Sequence, residues 1–157
     1  MLFRSPTRRR RRGTAAVETA VVLPVYLTLL FGIAEFGHAH LVLNLLNSAC
    51  RNAARLGSTE GTSTAAVQAR VLQTMGTAVP PGKVVMYVKD ASVFDTGAPA
   101  PTTDAQLEAL PSIELLDAAP RSMFMVRAKV AYNDICLVPM PFLRDLTLDA
   151  QAFMRRE

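Results

Sequence analysis

Residues 8–24 read RRRRRGTAAVETAVVLP, and the apolar run that opens inside this stretch continues over residues 25–34 as VYLTLLFGIA. Ala15 to Ala34 holds a single charge, Glu18, and is about as long as a helix must be to cross ~30 Å of hydrocarbon. Arg8, Arg9, Arg10, Arg11 and Arg12 stand directly before it, and no Lys or Arg follows until Arg51. The positive-inside rule therefore keeps the N-terminal side cytoplasmic and turns everything beyond about residue 40 outward. The same arginines attract anionic membrane lipid, at about 1 kcal/mol per residue near the surface.

Composition agrees with a membrane segment. Hydrophobic residues make up 50% of the 157 and charged residues 19%, and the mean hydropathy is +0.23. The net charge of +4 is local: six of the 17 bases precede Gly13, leaving 11 bases against 13 acids in the remainder. A basic nucleic-acid face has little to be built from in such a remainder, so nucleic acid is not expected as a partner.

Beyond His40, Val42, Leu45, Leu46, Ala49, Ala53 and Leu56 recur at three- and four-residue spacing, with Asn44, Asn47, Ser48, Arg51, Asn52 and Arg55 on the other face. This pattern predicts an amphipathic continuation of the membrane helix, stopped by Gly57. One helix of roughly 40 residues is expected, with a bend near Ala20 because Pro24 cannot donate a backbone hydrogen bond.

The junction orders a basic leader, one glycine, four small or apolar residues and a glutamate. Glycine offers least steric bulk to a peptidase that needs an extended backbone at the bond it cuts. A cut after Gly13 removes the leader charges and leaves a new α-amino group on Thr14, with a pKa near 8. Glu18 follows four residues later. An unpaired carboxylate costs up to about 2.5–3.5 kcal/mol at the centre of the bilayer, less near its surface. Pairing with a neighbouring subunit's Thr14 ammonium would offset that cost and set the stagger of packed helices; snorkelling to the interface is the other reading.

RRGTAAVE, the following VVLPVYLTLLFGIAEFG and the small-residue NSACRNAARLG region together resemble the TadE-like family of pseudopilins of tight-adherence pilus systems. The resemblance is carried by residues 8–57. It implies a prepilin peptidase cut between Gly13 and Thr14, Glu18 as the fifth mature residue, and partnership with other pilins or pseudopilins and pilus assembly membrane proteins, ultimately in cell adhesion. Thr19 departs from the aromatic residue that pilins of these systems carry after that glutamate.

The remaining chain predicts a small exported α+β head. Thr64 to Met75 spaces Val67, Val71 and Met75 as a short amphipathic helix with Thr64 as N-cap. Lys83 to Lys89 has strand composition, and residues 124–132 and 146–154 alternate as strands with one buried face each. Asp90 to Pro120 reads as a long loop with at most one turn of helix, and Pro139 and Pro141 make the last connection wander. About three antiparallel strands against one or two helices follow. The expected division is a leader over 1–13, the transmembrane and amphipathic helix over 14–57, and the exported head over 58–157.

No catalytic residue, cofactor site or metal site is nominated. Phosphate loops, nucleophile elbows and paired-carboxylate clefts are missing from the sequence, and His38 and His40, two apart on a helix, point about 200° apart. Cys50 and Cys136 are the two cysteines; if both are exported they can form a disulfide, and two buried thiols are the alternative. The reading is a non-enzymatic, single-pass inner-membrane protein of pilus assembly. Two alternatives stay open: an uncleaved membrane-anchored binding domain, and a secreted protein with an ordinary signal peptide cut near Gly37-His38-Ala39.

Overall fold

The computed structural model describes residues 7–97, 99, 101–138 and 145–157, with side chains from residue 13 onward. The connection through Pro139 and Pro141 lies outside the described residues. The chain divides into two compact units, Met1–Gly37 and His38–Glu157.

Helix α1, Thr7–Ser58, is 52 residues long, longer than the expected helix at its N-terminal end. Arginine is a good helix former, and one glycine such as Gly13 costs a helix only about 1 kcal/mol. The helix is continuous across Pro24. Within the first unit, Val17, Val21, Val25 and Leu29 are 61–69% exposed, and Leu23, Phe31 and Ile33 are exposed as well. Among the described residues nothing covers this apolar surface. Its most hydrophobic 18-residue window has a mean hydropathy of 1.9 and no buried residue, which is consistent with single-pass membrane anchoring.

In the second unit the later part of α1 packs through Val42, Leu46, Ala49, Cys50, Ala53 and Ala54, all fully buried. Gly57 is not the stop that the sequence suggests. It is helical, and a Cβ there would sit 3.0 Å from Leu115 Cδ1 and 3.0 Å from Phe124 Cζ, so the glycine serves close packing. The helix ends one residue later, where the Ser58 hydroxyl donates to Arg55 O at 2.9 Å and Ser58 O accepts from the Glu157 N–H at 2.9 Å. Gly61, at φ 75°, then turns the chain.

Helix α2, Thr64–Met75, buries Val67, Val71 and Met75 as its spacing predicts. Its N-cap is Ser63, whose Oγ accepts from Ala66 N–H at 3.2 Å, rather than Thr64. The Thr64 hydroxyl is committed elsewhere: it donates to Ile113 O and accepts from Leu115 N–H, both at 3.0 Å.

Strands β1 (Val84–Asp90), β2 (Met123–Ala131) and β3 (Thr147–Arg155) form one antiparallel sheet in the order β1-β2-β3. The register pairs Val84 with Val130 and Ala128 with Ala150. Phe124, Val126, Ala128 and Val130 face α1 and α2 in the main core, joined by Leu148, Ala150, Ala152 and Met154 of β3. Small residues on both layers let helix and sheet approach closely. Each fully buried Val, Leu or Phe contributes roughly 1.5–3 kcal/mol by leaving water.

The expectation of one buried face fails for β2, where Met125 and Arg127 are also buried. The Asp90–Pro120 segment folds over that second face and contains helix α3, Asp104–Glu108, closed by a capping box between Thr103 and Gln106. Leu107, Ala91 and Met125 form a second small core there, flanked by Phe94, Leu110 and Met123. Phe94 meets Phe153 of β3 edge to face, with centroids 5.1 Å apart.

Candidate functional site

The leader junction lies inside α1, so Gly13 and Thr14 are helical where an extended scissile bond was expected. A Cβ at Gly13 would meet nothing within 4 Å. Among the described residues no packing therefore asks for glycine here. Glu18 is exposed and stands one helical turn from Thr14, on the same face. It borders a shallow groove of about 280 Å³ with Thr19, Val22, Leu23 and Tyr26.

Two hydroxyls in this apolar stretch satisfy themselves on the helix. Thr19 Oγ1 donates to Ala15 O and Thr28 Oγ1 to Pro24 O, each at 2.8 Å. Both can face lipid without an unpaired donor. Thr19 thus adds little outward polarity. The side chains of Arg8 to Arg12 lie outside the described residues.

Cys50 and Cys136 are free thiols in the structure, and no bridge joins them. Cys50 is fully buried and donates to Ala150 O at 3.4 Å; burial pushes its pKa up to about 11. Cys136 is half-buried, packs against the same core, and donates to Asn133 O at 3.5 Å.

An ion-pair cluster on the second face of β2 was not foreseen. Arg127, 1% exposed, donates through Nη2 to Asp104 Oδ1 at 2.6 Å and Asp149 Oδ2 at 2.8 Å. Lys129 reaches Asp104 Oδ2 at 3.3 Å and also pairs with Glu108. Hydrogen bonds from Arg127 and then Lys129 hold the Asp104 carboxyl below its ordinary range. Burial alone would lower the pKa values of Arg127 and Lys129, but their carboxylate partners outweigh it and raise both. Glu114 performs a similar task at the start of α2. It accepts from Thr64 N–H at 2.8 Å and Leu116 N–H at 3.3 Å, and these bonds lower its pKa. The available signal was Asp104 and Glu108 at four-residue spacing, opposite in charge to Arg127 and Lys129 at two-residue spacing.

No curated protein and no solved structure matches the chain. Residues 13–55 do match the model of a family described as TadE-like protein. That range takes in the junction, the exposed apolar run and most of the amphipathic continuation, and over it the chain is similar to that family, a likeness that suggests a pilus-assembly-related protein.

Proposed function

We propose that the protein is a non-enzymatic, pilin-like subunit of a tight-adherence pilus assembly system, inserted in the inner membrane with its N-terminus cytoplasmic. A prepilin peptidase cuts between Gly13 and Thr14, and Glu18 then pairs with the new Thr14 ammonium of a neighbouring pilin or pseudopilin. The observation that carries this reading is the apolar helix surface exposed on every side, interrupted by one carboxylate a turn beyond the junction. Lipid or other apolar helices can cover such a surface, and a lone carboxylate beside it favours a specific cationic partner.

Cleavage of a helical junction needs local unwinding, which the glycine eases. On this reading Cys50 and Cys136 both lie outside the cytoplasm, where a bridge between them can form. Mass spectrometry of the chain recovered from cells that express a prepilin peptidase tests the proposal: Thr14 is expected at the N-terminus, and a chain retaining Arg8 to Arg12 would refute processing. A reporter fused after Glu157 is expected to be active only outside the cytoplasm, and cytoplasmic activity would refute the topology.

The unbroken helix across Gly13 and Thr14 favours a second reading, an uncleaved membrane-anchored binding domain. It shares the topology and differs at the N-terminal residue found.

A further inference from the structure

The second unit carries a basic groove of about 560 Å³ between the polar face of α1 and strand β3. Its α1 wall is formed by Asn44, Asn47, Ser48, Arg51 and Arg55, and its strand wall by residues 152–154. Among the described residues no acidic side chain lines it, although bases and acids balance over residues 38–157.

Three observations bear on what fits there. First, among the described residues β3 is an edge strand, paired only with β2. In an antiparallel pair every second residue of such an edge turns its N–H and C=O away from its neighbour, ready for another strand. The opposite edge is partly closed: Lys89 of β1 bridges to Ser112, and Asp90 N–H donates to Pro111 O at 2.8 Å. Second, Asn44 to Arg55 covers about 16 Å of helix, the length of about five extended residues. Third, Arg51 and Arg55 are exposed, with Asn52 between them and Asn47 one turn before Arg51. Guanidinium groups in this setting recognise carboxylates in bidentate fashion. A twofold β3-to-β3 joint between copies would set these arginines against their own equivalents, so the charge disfavours self-pairing.

We propose that this groove receives an extended, acidic segment of another protein, which adds a fourth strand beside β3 and directs carboxylates at Arg51 and Arg55. Main-chain hydrogen bonds supply the affinity and the arginines select the occupant. Phe153, 38% exposed, offers one apolar contact along the way. The inference does not depend on cleavage at Gly13.

The test uses the full chain in zwitterionic nanodiscs and a fluorescent octapeptide of alternating valine and glutamate. Saturable binding by anisotropy is expected, weakened at least about tenfold by the double change Arg51→Glu, Arg55→Glu, and equally by N-methylating alternate amides of the peptide. Circular dichroism of the double variant checks that the fold is kept, and Arg51→Gln with Arg55→Gln should give an intermediate loss. Absence of binding, indifference to N-methylation, or equal binding of a valine–lysine peptide would each overturn the proposal. Self-association of the chain that the charge reversal abolishes would assign the groove to a second copy instead. Capture of anionic vesicles, lost in the reversal while the peptide fails to bind, would assign it to lipid headgroups.

Discussion

Arg127 Nη2 donates to Asp104 Oδ1 at 2.6 Å from a position only 1% exposed, and so fastens helix α3 to the central strand of the sheet. The bond joins residues 23 apart in sequence. Two further nitrogens of Arg127, Nε and Nη1, are buried with no hydrogen-bond partner among the described residues, so the guanidinium relies on its two carboxylates.

This cluster makes stability depend on pH. Asp104 titrates below its ordinary value of 3.8 and Glu114 below 4.5. For groups depressed by folding, the contribution is complete above the unfolded values and is lost as pH falls through the folded ones. The thermal midpoint of the full chain in detergent should therefore be flat from pH 7 to about 5 and fall below about 4. Asp104→Asn should lower the midpoint at neutral pH and flatten the acid slope. An unchanged slope would show that Asp104 carries no such linkage.

Gly57 and Gly13 give opposite expectations. Gly57→Ala places a methyl 3.0 Å from Leu115 and Phe124, both fully buried. Overpacking of about 1–3 kcal/mol should outweigh the ~1 kcal/mol gain in helix propensity, so the net effect is destabilising. Gly13→Ala meets nothing and should leave the thermal midpoint unchanged or slightly raised. Parallel melts of the two variants check both signs.

Processing and assembly separate by mutation. Gly13→Val should block the cut while membrane insertion and the melting of the second unit stay as in wild type, because the site is open on all sides within the chain. Glu18→Gln should be inserted and cut yet crosslink less to co-expressed pilin-like proteins, since the size is kept and the charge removed. Crosslinking equal to wild type would leave Glu18 a snorkelling residue.

The thiols differ in reactivity. In the reduced, folded chain, Cys136 should be alkylated by iodoacetamide at neutral pH well before Cys50, which is buried with a pKa of about 11. In chain isolated from the exported state under thiol-blocking conditions, a bridge predicts no adduct on either cysteine until reductant is added. Two adducts without reductant would rule the bridge out.

Much of the fold is legible from local periodicity. Val42, Leu46, Ala49 and Ala53 mark the buried stripe of α1, and the alternation of β2 and β3 places both strands to within a residue, because each pattern follows the face that packs on the main core. The second face of β2 was hidden: Arg127 and Lys129 look solvent-facing until Asp104 and Glu108, more than 20 residues away, supply partners. Gly57 misled for a similar reason. Its role is set by Leu115 and Phe124, which no window around residue 57 contains. The junction from Gly13 to Glu18 could be read from spacing and charge, but its helical backbone could not, since an extended segment and a tolerated helical glycine look alike in sequence. The basic groove escaped notice because its walls come from α1 and β3, about a hundred residues apart.

The hydrogen bond from Glu157 N–H to Ser58 O has a consequence for the order of events during biogenesis. While Thr147–Glu157 is still on the ribosome or in transit, the Leu148, Ala150, Ala152 and Met154 part of the core has no occupant, and the end of α1 has an open carbonyl. Maturation of the second unit thus waits for Thr147–Glu157 to arrive. A chain arrested before residue 147 would leave the Val42–Ala54 stripe naked and open to aggregation or proteolysis.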